Sequence, residues 1–291
     1  MKNKIKPFDV INTIILSLLM LICLYPFLYV VFASFSEPWE LVKHKGLLIG
    51  PLGFSLSGYK AVLSNRSILT GYITTLINLF AGTSINIILT LLAAYAVSRK
   101  DFMLKKPIVI MIVFTMFFNS GIIPRFLVVK SLGLYDSRLS MILPTAINVF
   151  NLVIMRTAIE ALPDSLEEAA LLEGANDFDI LFRIVMPLIK STIAVLVLYY
   201  GVAHWNQWYQ ALMYVQSRDK YPLQLVLREI LIGNSTESMA AGGVDSSGES
   251  AVIGEVIKYA TIVVSTLPIL TIYPMLQKHF VKGVMVGAVK G

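Results

Sequence analysis

The sequence has few charged residues and a single cysteine. Asp, Glu, Lys and Arg make up only 14% of the 291 residues, 56% are hydrophobic, and the mean hydropathy is +0.74. Soluble domains carry about 25% charged residues, so this composition predicts a membrane protein. Cys23 alone can form neither an internal disulfide nor a cysteine metal cluster. The net charge of +6 comes from basic residues scattered at the ends of apolar runs, which indicates anchors beside lipid headgroups.

Motifs for several kinds of chemistry are also missing. The three histidines, His44, His204 and His279, lie in different segments without metal-ligand spacing. No G-x-x-x-x-G-K-[ST] phosphate loop is present, and no catalytic constellation of an intramembrane enzyme. We therefore predict a transport subunit that is not an enzyme and holds no metal or cofactor of its own. If transport is active, its energy enters from another subunit.

Six apolar segments are long enough to cross a bilayer, which needs about 20 residues. They predict an all-α membrane protein whose residues 1–291 form a single transmembrane domain. An even number of spans puts both termini on one side, and the basic connection at Arg99, Lys100, Lys105 and Lys106 marks that side as cytoplasmic. We expect a multi-pass protein of the cell (plasma) membrane with these spans: 10–34, 70–98, 107–125, 139–157, 191–216 and 258–277.

The polar residues inside the spans are mostly neutral. Asparagine within a span commonly joins helices through hydrogen bonds, and Trp and Tyr near a span end are often interfacial residues. Neutral hydrogen-bonding groups beside aromatic rings would also suit an uncharged, hydroxyl-rich solute. The candidates for a solute path are Trp205, Asn206, Tyr209, Asn148 and Asn151, with a lone His204 more often structural than a proton relay. The scarcity of charges in the spans argues against ion coupling.

Residues 163–187 form an acidic segment between the fourth and fifth predicted spans, bracketed by Pro163 and Pro187. Ser165 followed by Glu168 predicts a capping box that opens a short helix. Gly174 is placed to end that helix in a left-handed conformation. A second short helix is then predicted, capped by Asn176 with Asp179 and carrying an apolar face of Phe178, Leu181, Phe182 and Val185.

Two interpretations of the acidic segment follow from the residues alone. It is either a polar linker whose carboxylates compensate helix dipoles, or a docking surface for another protein. In the second case Ala169 and Ala170 let a partner groove approach closely, and the surrounding carboxylates are free to meet its Arg or Lys.

The segment resembles the EAA signature of permease subunits of binding-protein-dependent ABC importers, through Glu168, Ala169, Ala170, Gly174 and the distal Ile184 to Pro187. Further stretches are similar to maltose-type carbohydrate permeases of the MalG and LplC kind: "GFSLSGYKAVLSN", "LGLYDSRLSMILP", "WNQW", "YPLQLVLREIL" and "GVMVGAVKG".

The resemblance implies the type I importer permease fold, a carbohydrate substrate (an oligosaccharide or modified sugar) and several partners. These are a homologous second permease, two cytoplasmic ATPase subunits that bind ATP and Mg, and an extracellular solute-binding protein. It also implies that the segment is a coupling helix element, with these ATPase-coupling residues: Glu168, Ala169, Ala170, Gly174, Asp177 and Pro187. The tail from Gly283 to Gly291 either reaches the ATPase pair or is a disordered end.

Alternatives remain open at this point. A self-sufficient channel or secondary transporter for a neutral solute is the second hypothesis for function. Before the last span, "YPLQLVLREILI" predicts either a helix on the membrane surface or a contact for an extracellular partner, and residues 233–250 are predicted to form a flexible external loop.

Overall fold

The computed structural model describes the backbone of residues 7–118, 120–240 and 248–283, and the side chains of 7–118, 120–232 and 252–271. Within the described backbone every regular element is helical, as predicted, because a chain in lipid must satisfy its backbone polar groups internally. The α-helices are Pro7–Ser34, Pro38–Lys43, Ser57–Ser64, Arg66–Ile77, Thr83–Ser98, Lys105–Phe117, Ile122–Ser131, Leu139–Ile142, Val149–Glu160, Asp164–Leu172, Asp177–Asp179, Met186–Leu188, Lys190–Trp205, Tyr209–Tyr214, Leu223–Ala240 and Gly248–Gly283. Two π-helices (Asn78–Gly82 and Ile180–Val185) and two 3₁₀ turns (Leu143–Thr145 and Arg218–Lys220) complete the set.

Six membrane spans are compatible with these elements. Three helices are long and apolar enough to cross alone, at Pro7–Ser34, Arg66–Ser98 and Val252–Thr271. Three bent pairs pass the same length and composition test if each pair is one span. Their angles are 118° for Lys105–Phe117 with Ile122–Ser131, 54° for Leu139–Thr145 with Val149–Glu160, and 84° for Asp177–Leu188 with Lys190–Trp205.

Three of the predicted spans are not single continuous helices. Within 107–125, Gly121 adopts φ +82°, outside the helical region. Within 139–157, Leu143–Thr145 form a 3₁₀ turn that contains Pro144, and Asn148 then caps a new helix by accepting a hydrogen bond from the Asn151 backbone N–H. The predicted span 191–216 ends as a helix at Trp205, and a separate short helix follows at Tyr209–Tyr214.

The described chain divides into two compact units, residues 1–69 with 227–268 and residues 70–226 with 269–291. In the first unit, Ala33, Leu41, Leu48 and Val256 form a small buried cluster. Most of the Pro7–Ser34 helix exposes leucine and isoleucine side chains, as expected of a helix that faces lipid. That residues 1–291 act as a single permease domain stays a prediction.

The second unit contains the acidic segment and the polar span residues. Its largest buried cluster joins the helices Thr83–Ser98, Val149–Glu160 and Lys190–Trp205 to residues 170–189 of the acidic segment and its exit. Met155, Ile180 and Leu196 are completely buried there. The acidic segment is thus packed onto the span helices and is not a free linker.

The residues before the last span differ from the prediction. Leu225 is buried against Met141, Ala211 and Val215, so this face of "YPLQLVLREILI" is covered by the chain itself and not by an extracellular partner. The helix continues through Ala240, so residues 233–240 are not an irregular loop. Residues 241–247 of the predicted loop, and residues 284–291 of the tail, lie outside the described part of the chain.

Candidate functional site

The acidic segment folds as helix, glycine, helix, as predicted. Gly174 has φ +82° and its N–H donates to the Leu171 carbonyl at 3.0 Å, while the Ala175 N–H donates to the Ala170 carbonyl at 3.0 Å. This pair of bonds is a Schellman motif, which satisfies carbonyls at the helix end and requires a left-handed residue. Ala175 packs against the buried cluster that contains Ala170, as the apolar residue after such a turn usually does.

The start of the first helix corrects the predicted capping box. The helix begins at Asp164 with Pro163 at the N-cap position, and no side chain caps it. Ser165 and Glu168 therefore lie inside the helix. The reason is that proline already fixes a φ suited to helix entry, which moves the start of the helix two residues earlier than predicted. Any effect of Glu168 must come from an exposed carboxylate and not from a cap.

The second helix begins as predicted but turns a different face inward. The Asn176 side chain accepts a hydrogen bond from the Asp179 N–H at 3.0 Å. The following residues form a π-helix, which rotates the side chains relative to an α-helix. Ile180, Leu181 and Val185 are consequently buried, whereas Phe178 and Phe182 are 68% and 44% exposed.

Ala169 and Ala170 do not share an environment. Ala169 is exposed, but Ala170 is buried in the chain's own core, so the prediction of two alanines on an exposed face is wrong for Ala170. Pro187 is exposed, and Leu172 is 90% exposed at the end of the first helix. An apolar edge of Leu172 and Phe178 therefore flanks the glycine turn.

Several acidic side chains of the segment are already paired within the chain. Arg99, in the loop after the Thr83–Ser98 helix, forms an ion pair with Glu167, and its other nitrogens lie 3.8 Å from Asp177 and 3.6 Å from Asp101. The Tyr95 hydroxyl accepts a hydrogen bond from Arg99 at 3.2 Å, and the guanidinium lies 5.4 Å from the Tyr95 ring centroid.

These pairs correct the expectation that the carboxylates are free for a partner. Lys100 pairs with Asp164 at 2.5 Å and Arg183 with Asp179 at 3.2 Å. Within the part of the chain described with side chains, Glu168 and Glu173 are exposed and carry no ion pair. Asp177, predicted as a coupling residue, lies 3.8 Å from Arg99, and its coupling role stays a prediction.

A cavity of 640 Å³, lined by both polar and apolar side chains, lies in the same unit, and it brings together two of the five predicted solute-path residues, Asn148 and Asn151. Tyr200, His204, Gln207 and Asn86 also line it. The Tyr200 hydroxyl accepts a hydrogen bond from the Asn148 N–H at 3.0 Å and pairs with Thr90 Oγ1 at 2.8 Å. His204 and Gln207 carried no predicted role in solute handling.

The other three predicted path residues lie outside this cavity. Trp205 is buried, with its ring edge-to-face to Tyr72 at 6.1 Å. Asn206 donates its side-chain N–H to the Val202 carbonyl at 3.0 Å, and Tyr209 packs edge-to-face on Trp208 at 5.8 Å. Their side chains are used in packing and helix termination, and the stretch "WNQW" contributes to the cavity only through Gln207.

Asp136 is a further polar residue that sequence reasoning missed. It adopts φ +53° and joins the loop before the fourth span to residues 214–220. Its carboxylate accepts hydrogen bonds from the backbone N–H of Gln216 and of Ser217, at 3.0 and 2.9 Å, and from the Ser217 hydroxyl at 2.5 Å. Lys220 Nζ lies 3.1 Å from the same carboxylate. These donors, the Ser217 hydroxyl first, hold the pKa of Asp136 far below its usual range.

The contacts of Asp136 with Gln216, Ser217 and Lys220 form a clamp, and replacing Asp136 should loosen it. In Asp136→Asn the charge that attracts Lys220 is lost, so we expect the thermal unfolding midpoint of the detergent-purified protein to fall by a few degrees. Folding lowers the pKa of Asp136, so its ionised carboxylate stabilises the folded protein at any pH above the unfolded-state pKa of about 3.9. This stabilisation is lost only as the pH falls through the still lower pKa of the folded state. The difference between wild type and variant should be equal at pH 7 and pH 5. The control is Asp219→Asn in the same loop, whose contact with Thr74 uses its backbone oxygen. A difference that vanishes by pH 5 would contradict the clamp.

Comparison with known families decides the class of protein. Residues 50–286 match the model of the family described as "Binding-protein-dependent transport system inner membrane component". The chain belongs to this family. The matched range contains the acidic segment, the clamp and the cavity.

Two relatives from Bacillus subtilis (strain 168) are similar to this chain over all or nearly all of their length. The polygalacturonan/rhamnogalacturonan transport system permease protein YtcP is 42% identical over 291 residues, 100% of both chains. The protein LplC is 38% identical over 284 residues, 98% of this chain and 95% of the relative. A solved structure, of a bacterial ABC transporter involved in the import of the acidic polysaccharide alginate, has a chain with TM-score 0.85 and 30% identity, covering 94% of this chain and 96% of that one.

Family membership confirms the predicted class and fold. The chain is an ABC importer permease of the type I fold, a membrane component and not a catalytic enzyme. A binding-protein-dependent system includes a solute-binding protein and an ATPase, so the family implies both kinds of partner. The alternative of a self-sufficient channel or secondary transporter is not favoured.

Proposed function

We propose that this protein is one permease half of an ATP-driven importer for a carbohydrate, and that residues 163–187 couple an ATPase to alternating access of the spans. The observation that carries the proposal is the helix–glycine–helix element, packed on three span helices within a chain of this transporter family. The chain itself makes and breaks no covalent bond.

The substrate class is inferred from relatives and from the chemistry of the spans. The permease YtcP is named for polygalacturonan and rhamnogalacturonan transport, and the structural neighbour belongs to a system that imports alginate. Among the described residues, the cavity lining has no charged residue and carries amide and phenol groups beside apolar side chains, which supports an oligosaccharide or modified sugar because such groups pair well with hydroxyls.

The ATPase-coupling surface comprises the exposed parts of the acidic segment. Leu172 and Phe178 supply an apolar edge that would be hidden in a groove of another protein. Glu168 and Glu173 supply unpaired carboxylates for its Arg or Lys, and Ala169 permits close approach. Gly174 sets the angle between the two helices. In this scheme Asp177 acts through Arg99. Pro187 acts at the end of the acidic segment, just before the Lys190–Trp205 helix.

The assembly we propose contains a homologous second permease, two cytoplasmic ATPase subunits and an extracellular solute-binding protein. ATP and Mg would bind the ATPases, and this chain would hold no cofactor. Both termini and the acidic segment would be cytoplasmic, since Arg99, Lys100 and Lys105 lie beside that segment and positive residues favour the inner side. Residues 1–291 would work as a single permease domain in a plasma membrane.

Purification of the intact complex tests partners and substrate together. The tagged chain should retain a second permease and an ATPase through mild detergent extraction, and the associated binding protein should carry a carbohydrate identifiable by mass spectrometry. The control is the Leu172→Asp, Phe178→Asp double variant, which should keep the second permease and lose the ATPase. Recovery of the chain without any ATPase, or an equal ATPase yield from the double variant, would contradict the proposal.

A further inference from the structure

The second part of the acidic segment, residues 177–188, forms a helical stretch that lies across the axis of the span that follows it. This lateral helix runs through the π-helix Ile180–Val185 to Leu188, and the span helix Lys190–Trp205 begins two residues later. The two helical parts meet at 84°. Span helices tilt from the bilayer normal by about 20° on average. The lateral helix therefore lies within about that tilt of the plane of the membrane surface.

One face of the lateral helix is covered by the chain and another is bare. Its covered face belongs to the buried cluster shared with the span helices, through Ile180, Leu181 and Val185. Its bare face carries large apolar side chains that are all exposed: Phe182, Met186 and Leu188. Neighbouring apolar side chains of this size indicate a contact with another protein or with lipid.

The charge of the lateral helix changes sign along its length. Asp177 and Asp179 stand in its first turn, near the glycine, whereas Arg183 lies beside the bare face and Lys190 directly after it. Lys190 is exposed and forms no ion pair with any side chain that the structure describes. The Arg183 side chain is 81% exposed, and its ion pair with Asp179 uses one of the nitrogens of a group that has five N–H donors. Two accessible cations thus border the apolar side chains.

The position and charge of the bare face favour lipid over protein as its cover. The chain is a membrane component, and the Lys190–Trp205 helix enters the bilayer directly after this face, so the face is continuous with the membrane surface. Helices that lie in the interface combine large apolar side chains with Lys and Arg. Anionic headgroups of the cytoplasmic leaflet attract such basic residues. The proposed ATPase contact is at the other end of the helix, around Gly174, where the side chains are acidic.

We propose that the lateral helix is an interfacial helix that binds anionic phospholipids of the surrounding leaflet. Arg183 and Lys190 donate hydrogen bonds to headgroup phosphates, and the side chains of Phe182, Met186 and Leu188 enter the boundary between headgroups and acyl chains. The inference rests on the proposed function for the identity of that leaflet, the cytoplasmic one. A single helix then contacts the ATPase with its first turn and the bilayer with its last.

A fluorescent label on the lateral helix tests the lipid contact directly. In the complete complex, Cys23→Ser removes the only cysteine, and Leu188→Cys or Glu173→Cys then accepts a bimane label. The vesicles contain phosphatidylcholine and phosphatidylglycerol in equal amounts, with one of the two brominated on its acyl chains. Brominated lipid should quench the label at Leu188, and iodide in the water should not. The control label at Glu173, an exposed position beside the glycine turn, should not be quenched by lipid.

The choice of brominated lipid tests the role of the two cations. Brominated phosphatidylglycerol should quench the label at Leu188 on the order of fivefold more strongly than brominated phosphatidylcholine, the factor that the attraction of one basic residue to an anionic surface gives. High salt should remove this preference, because it screens exposed charges. Arg183→Gln combined with Lys190→Gln should remove it as well. Arg183→Lys combined with Lys190→Arg keeps both charges and should retain it.

The possible outcomes separate the lipid contact from other covers and from the proposed function. Quenching of the Leu188 label by iodide alone would place the helix in water, and protection from both quenchers would show a protein cover; either result overturns the proposal. Equal quenching by the two lipids, or a preference that survives in the double Gln variant, overturns the binding of anionic headgroups. If that variant does not assemble, the salt dependence decides. A complex without an ATPase would contradict the proposed function and leave the lipid test valid, because both leaflets contain the same lipids.

Discussion

Gly174→Val is expected to abolish coupling between ATP hydrolysis and solute import while leaving the permease folded in the membrane. Gly174 holds φ +82°, a conformation that a β-branched residue adopts poorly, at a cost of about 1–2 kcal/mol. No atom lies within 4 Å of the position a Cβ would take, so backbone strain alone is introduced. The strain opposes the Schellman turn and should redirect the second helix of the acidic segment.

The chain provides a matched control for this substitution. Gly133 also ends a helix, with φ +70° and open space where a Cβ would lie, and the Leu134 N–H bonds to the Val129 carbonyl in the same motif. Gly133→Val should therefore carry a similar strain far from the acidic segment. We expect normal abundance for both variants, with ATPase co-purification and solute-stimulated hydrolysis lost only in Gly174→Val. Wild-type coupling in Gly174→Val would mean that the segment does not couple the ATPase to the spans.

Arg99→Ala should uncouple the transporter almost as strongly. Arg99 joins the end of the Thr83–Ser98 helix to both helices of the acidic segment, through Glu167 and Asp177. Its side chain is only 18% exposed, so the paired carboxylates would lose a partly buried cation. Without this connection, a movement of the acidic segment would be transmitted less directly to the Thr83–Ser98 helix. We expect the number of ATP molecules consumed per solute imported to rise about fivefold. This factor is near the lower end of those that correspond to typical coupling free energies.

Arg156→Ala is the control for loss of a positive charge nearby. Arg156 is similarly covered, at 22% exposed, but pairs with Glu160 on its own helix at 3.0 Å. Its removal should leave the ratio of ATP to solute unchanged. In a second step, Glu167→Arg combined with Arg99→Glu should recover part of the coupling, because the reversed pair can form. An Arg99→Ala complex with wild-type stoichiometry would exclude a role for this connection.

Local patterns predicted the acidic segment well where neighbours in sequence decide the structure. The glycine turn and the Asn176 cap depend on residues at most five positions apart, and both are present. The capping-box prediction was wrong because the helix starts two residues earlier, with Pro163 and not Ser165 at the N-cap position. The apolar face was misassigned because an α-helical period was assumed where the chain forms a π-helix.

Long-range pairing set the remaining features, and composition carries no signal for it. Arg99 lies 68 residues before Glu167 in the sequence, so the ion pair between them could not be predicted from the sequence of the acidic segment alone. The cavity likewise depends on Asn86 meeting His204 across 118 positions. Asparagines in spans were expected either to join helices or to handle solute; Asn86 joins helices through its amide and also lines the cavity.

Import of a labelled oligosaccharide into proteoliposomes tests the central claim most directly. Vesicles containing the complete complex and the loaded binding protein should accumulate solute only when ATP reaches the ATPase side. Vesicles containing this chain alone, or the complex without ATP, should accumulate none. Solute flux through the purified chain in the absence of any ATPase would contradict the account and return the protein to the class of channels or secondary transporters.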